Sequence, residues 1–65
     1  MITVTIVPEG RILTFPKIRT VLQLLEQLDL RVNDALIIRG DELLTPDRRL
    51  DDGDQITVRP VISRG

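Results

Sequence analysis

One stretch of this chain, and only one, carries the apolar spacing of a helix. In "TVLQLLEQLDL" the residues Val21, Leu24, Leu25 and Leu28 recur at i, i+3, i+4 and i+7, which lines them up along one side of an α-helix. Thr20 followed by Gln23 has the spacing of a capping box and marks the start. The spacing predicts a helix over Val21 to Asp29 that stops before "RVND". An isolated helix this short is not stable in water, so its stripe must be buried against something else.

The rest of the chain supplies strands. "ITVTIV" is β-branched at nearly every position and is closed by the turn chemistry of "PEG". "RILTF" follows as the second arm of a hairpin, with Leu13 and Phe15 on one face and Ile12 and Thr14 on the other, and Pro16 ends it. "ALIIR" is a continuous apolar run of strand length, and "RGDELL" is a turn leading into a very short strand. "TPDRRL" is a turn that tucks Leu50 into the core, "DDGD" a tight turn, and "QITVRPVI" the last strand. Two strands, a helix and further strands predict an α+β fold, with a mixed sheet of four to five strands and one covering helix. A crossover through the helix is expected to make "ALIIR" parallel to the first strand. This is the ubiquitin-like β-grasp arrangement.

Sixty-five residues accommodate one core. The division expected is a domain over residues 1–60 and a flexible C-terminal tail over 61–65. Neither Cys nor His is present, which removes thiol nucleophiles, disulfides, the usual zinc ligands and the side chain best suited to proton transfer near neutral pH. The net charge of −1 with both signs scattered offers no footprint for nucleic acid. No apolar run approaches a membrane span and no leader-like segment opens the chain, so a soluble cytoplasmic protein is expected.

Several features compete for a chemical reading. Asp51, Asp52 and Asp54 around Gly53 have the residue types of a cation site, but the spacing differs from an EF-hand loop and an Asp-Gly pair reverses a chain. A structural turn is expected there, with no metal. Arg48 with Arg49, and Arg39 with Arg59, suit either a solvated face or the rim of a carboxylate-rich partner surface. Leu36, Ile37 and Ile38 are consecutive, so at least one side chain must leave the helix-covered face, and Ile37 with Arg59 is taken as the docking pair. The acidic pairs are sequential in the chain, so they diverge instead of flanking a substrate, and an enzyme is not expected.

The tail is the remaining feature. Pro60 lacks an N–H, so Val61, Ile62, Ser63, Arg64 and Gly65 are expected to project from the sheet as an arm. Glycine in last place bears no β-carbon beside its carboxyl group, which suits passage through a narrow channel.

Together, the helix, the run "ALIIRGDELLTPDRRLDDGDQITVRPVIS" and the tail resemble the sulfur carrier proteins of the ThiS/MoaD family, with "IRGDELLTPDRRLDDGD" and "VIS" nearer the carriers of tRNA thiolation (the TtuB type). The resemblance implies a protein co-substrate, not an enzyme. Its C-terminal carboxylate, here on Gly65, is adenylated by a ubiquitin-activating-type partner using ATP. Sulfur from a persulfide donor, delivered by a sulfurtransferase or cysteine desulfurase, then makes a thiocarboxylate. A downstream enzyme passes that sulfur to tRNA, thiamine or molybdopterin precursors. No bound cofactor is implied. The family ends in Gly-Gly, whereas this sequence reads Arg64-Gly65. The alternatives are a ubiquitin-like protein modifier, a non-reacting interaction module, or a subunit whose tail sits permanently in a larger enzyme.

Overall fold

A computed structural model describes residues 1–61 of the chain. The elements are β1 (Ile2–Ile6), β2 (Arg11–Phe15), α1 (Val21–Gln27), β3 (Ala35–Arg39), β4 (Glu42–Leu44) and β5 (Gln55–Pro60). The strands form one five-stranded sheet in the order β2-β1-β5-β3-β4. Strand β5 runs parallel to β1, and every other neighbouring pair is antiparallel. With a single helix against that mixed sheet, the chain has the α+β ubiquitin-like β-grasp fold.

One expected direction is corrected. Strand β3 is antiparallel to β5, hence antiparallel to β1, and the parallel partner of β1 is β5. The reason lies in where the crossover starts. The helix returns the chain from the end of β2, so β3 repeats the direction of β2, which is opposite to that of β1.

Alternation in the strands separates two faces. Ile2 and Val4 of β1, Ala35 and Ile37 of β3, Leu44 of β4, and Ile56 and Val58 of β5 are buried in one cluster with Val21, Leu24 and Leu25 of the helix and Leu50. Burying a Leu or Val side chain contributes about 1.5–3 kcal/mol over leaving it exposed. Leu13, Phe15, Leu28 and Leu30 seal the margins of this cluster. Leu22 lies off the stripe and stays exposed.

Both ends of the helix are closed by local chemistry. The Thr20 hydroxyl accepts the Gln23 N–H at 3.2 Å, and the Gln23 side chain reaches back to accept from the Arg19 N–H at 2.8 Å. The Val21 and Leu22 N–H groups donate to the carbonyls of Arg48 (3.1 Å) and Pro46 (3.2 Å). The first turn therefore keeps no orphan donors, and the 46–50 segment is fastened to it. The C-terminus comes two residues earlier than the spacing predicts, because Asp29 takes φ 57°. The Leu30 N–H donates to the Leu25 carbonyl (2.9 Å) and Asp29 N–H to the Glu26 carbonyl (3.1 Å), the paired bonds of a Schellman motif with Asp in place of the usual Gly.

The hairpin is one residue longer than expected. The β1–β2 ladder ends at Ile6 opposite Arg11, where the Gly10 N–H closes the turn on the Ile6 carbonyl, while the Val7 N–H donates to the Val58 carbonyl at 3.0 Å, as Thr3 does to Asp54. At the other end of the sheet, residues 51–54 form the expected tight turn, with Gly53 at φ 91°. The Asp54 N–H donates to the Asp51 carbonyl (3.0 Å), and the Asp54 carboxylate accepts from the Asp51 N–H (2.8 Å) and from Arg39 (3.0 Å).

Replacing Thr20 by Ala removes the acceptor for the Gln23 amide, and the expected loss is about 1 kcal/mol in urea unfolding. The bond from Asp51 N–H, then the Arg39 guanidinium, holds the Asp54 carboxyl below its usual 3.8. Its contribution is thus complete above that value and lost as pH falls through the lower folded value. Thermal midpoints measured downward from pH 5 should fall below about pH 4, with a shallower fall in Asp54→Asn.

Candidate functional site

The face of the sheet turned away from the helix can be read from the registers. Ile12 lies opposite Thr5, Thr5 opposite Thr57, Thr57 opposite Ile38, and Ile38 opposite Leu43, so one row of side chains crosses all five strands. A second row places Leu36 opposite Arg59. The flanks of this face are apolar and open: Ile12 is 66%, Leu43 59% and Leu36 40% exposed. The two central threonines are half-buried. Arg59 has no carboxylate partner among the described residues.

Ile37 is not part of that face. It is 2% exposed and belongs to the cluster beneath the helix, because strand alternation sends it to the side opposite Leu36 and Ile38. The docking role expected of Ile37 is therefore corrected: its neighbours Leu36 and Ile38 occupy the open face. Ile12 and Leu43 complete the apolar flanks, and the signal for both was their position one residue out of phase with core-facing Leu13, which is half-buried, and Leu44, which is buried.

The arginine pairs also separate. Arg39 lies on the helix side, where its guanidinium donates to the carboxylates of Asp54 (3.0 Å) and Glu42 (3.4 Å), while Arg59 lies on the open side. Arg48 donates to the second oxygen of Glu42 at 3.4 Å, whereas Arg49 has no acidic partner among the described residues. These bonds tie the end of β3, the short β4 and the 48–54 segment into one unit. Arg39 thus serves the fold.

Strand β5 lies at the centre of the sheet and carries the chain to the root of the expected tail. Pro60 is accommodated at its end by the direction of the missing donor. The carbonyls of Asp54 and Val58 face β1, accepting from Thr3 and Val7, so an N–H at position 60 would face β1 as well. Strand β1 has already ended at Ile6, and the last pair of the β1–β5 ladder is Ile6 with Val58, so position 60 lies past that ladder. Position 61 faces β3 instead, and the Val61 N–H donates to the Asp34 carbonyl at 2.7 Å. Val61 is therefore fastened to the sheet, although it was expected to begin the projecting arm. Ile62, Ser63, Arg64 and Gly65 lie outside the described residues.

Arg59, Leu36 and the Val61 root share one end of the sheet. The arrangement joins an apolar surface, an unpaired guanidinium and the exit of the chain, with no cluster of metal-ligating side chains among the described residues. No helix among these residues is long and apolar enough to cross a membrane.

The two neighbouring positions should respond oppositely to truncation. Ile37→Ala should lose about 2–5 kcal/mol of stability in denaturant unfolding, the range for emptying a core position. Leu36→Ser should stay within about 0.5 kcal/mol of the parent.

Set beside known proteins, the sequence matches no protein-family model and no curated protein.

Proposed function

We propose that this chain is a sulfur carrier of the ThiS/MoaD type, in which the carboxylate of Gly65 is the reacting group and the β-grasp body is its handle. The observation that carries this reading is the path of the last strand. It runs through the centre of the sheet, is held to β3 as far as Val61, and leaves beside the open face at Leu36 and Arg59. Residues 62–65 have a contour of at most about 13–14 Å. That length suits delivery of a terminus into a neighbouring protein's active site while the open face rests on that protein's surface.

The chemistry assigned to Gly65 is acyl activation. A carboxylate is a poor electrophile, and a partner that transfers AMP from ATP to it turns it into a mixed anhydride with pyrophosphate as leaving group. Persulfide sulfur then displaces AMP, and reductive release leaves the thiocarboxylate. Within the body, Leu36, Ile38 and Leu43 supply apolar contact and Arg59 a charge for an acidic rim on the adenylating enzyme. A sulfur donor and a sulfur-accepting enzyme for tRNA thiolation, thiamine or molybdopterin synthesis complete the proposed partners.

The test is a reconstitution with a ubiquitin-activating-type enzyme from the same organism, ATP, a persulfide donor and a thiol reductant. The expected product is the intact chain heavier by the exchange of one oxygen for sulfur. ATP–pyrophosphate exchange should depend on the chain and disappear when Gly65 is deleted. A folded chain that supports neither exchange nor the mass gain with any such enzyme would overturn the proposal.

A further inference from the structure

The end of the sheet where β1 and β5 begin is far from the tail root, and a cleft there gathers three basic side chains. Arg39 and Arg48 have carboxylate partners, whereas Lys17, Arg19 and Arg49 have none among the described residues. These three unpaired cations line a single open cleft of about 770 Å³. Lys17 and Arg19 come from the segment joining β2 to α1, and Arg49 from the segment joining β4 to β5. The two segments are held edge to edge, with Thr20 opposite Arg49 and the Leu50 N–H donating to the Arg19 carbonyl at 2.7 Å. The cations therefore project from a braced framework.

The cleft also has an apolar side. Ile2 and Leu50, both buried, and half-buried Ile18 contribute to its lining. Asp51 and Asp52 stand on the rim, and the Asp52 carboxylate is engaged by the amino group of Met1. Against the net charge of −1 for the chain, the three side-chain cations and one unengaged carboxylate make this a local positive excess.

We propose that this cleft binds a short acidic segment of a partner protein, one that carries an apolar residue beside its carboxylates. Guanidinium groups pair with carboxylates in a planar, two-pronged geometry, and a neighbouring aliphatic side chain matches the surface of Ile18 and Leu50. A volume of this size accommodates a few residues. The rim carboxylates and apolar lining oppose a compact polyphosphate or a nucleic-acid backbone, which would need donors on all sides. Strand β5 separates the cleft from Val61 by its six residues, about 20 Å. A partner held here leaves the open face and the chain exit uncovered. The proposal does not rest on the chemistry of Gly65.

The test is an amide NMR titration of the full chain with a short synthetic peptide that alternates acidic and leucine residues. Saturable shifts confined to the amides of residues 2, 17–19 and 49–52 are expected. Affinity should fall about tenfold in Lys17→Gln/Arg19→Gln/Arg49→Gln, since exposed ion pairs contribute modestly and together reach that factor. Arg11→Gln/Arg31→Gln, which removes two cations elsewhere, should leave affinity unchanged. Intermolecular NOEs from the peptide leucines to Ile18 and Leu50 should locate the peptide without reliance on any variant. Shifts spread over the whole surface, parental affinity in the triple variant, or absent NOEs would overturn the proposal. So would equal binding at these amides by inorganic phosphate or a single-stranded RNA.

Discussion

Burial of Val21, Leu24 and Leu25 against one side of a five-stranded sheet is the constraint from which the other features follow. A single helix supplies the apolar cover, so only one residue in two along each strand can enter the core. The other residues face water whatever their chemistry. Leu36 and Leu43 are exposed for that geometric reason, and the apolar flanks of the open face are set by the same packing that hides Ile37.

The helix does not hold itself in place. Its first amides are satisfied by carbonyls of the 46–50 segment, that segment carries Leu50 into the core, and Arg39 bridges from β3 to the turn that starts β5. Backbone bonds and one guanidinium thus connect the helix, the shortest strand and the central strand. The result is a braced frame on which the open face and the exit at Val61 adjoin, with the cleft at the opposite end.

Much of the architecture was legible in the residues themselves. The period of "VLQLLEQL", the Thr20 cap, the β-branched first strand and the Asp-Gly turn each state a local preference that the fold keeps. Properties that depend on a neighbour were not legible. Three consecutive apolar residues have no period, so "LII" does not say which of them faces the helix until β3 is registered against β5. The same holds for Arg39 and Arg59, which register places on opposite sides. Pro60 illustrates the point from the backbone: its effect on pairing depends on where β1 stops, which is decided by residues more than fifty positions away. The tail residues assigned a chemical role lie outside the described residues, and their role is argued from the path of the strand before them.

The parallel pairing of β1 with β5 has a temporal meaning during synthesis. The strand that fills the middle of the sheet is made last, so the hairpin and helix emerge with an unfilled slot between β1 and β3. Contacts of such long sequence separation are slow to close, and the nascent chain stays without its core until residues 55–60 are free of the ribosome. The core and the fastening of Val61 are therefore completed by one event, the entry of β5 between β1 and β3.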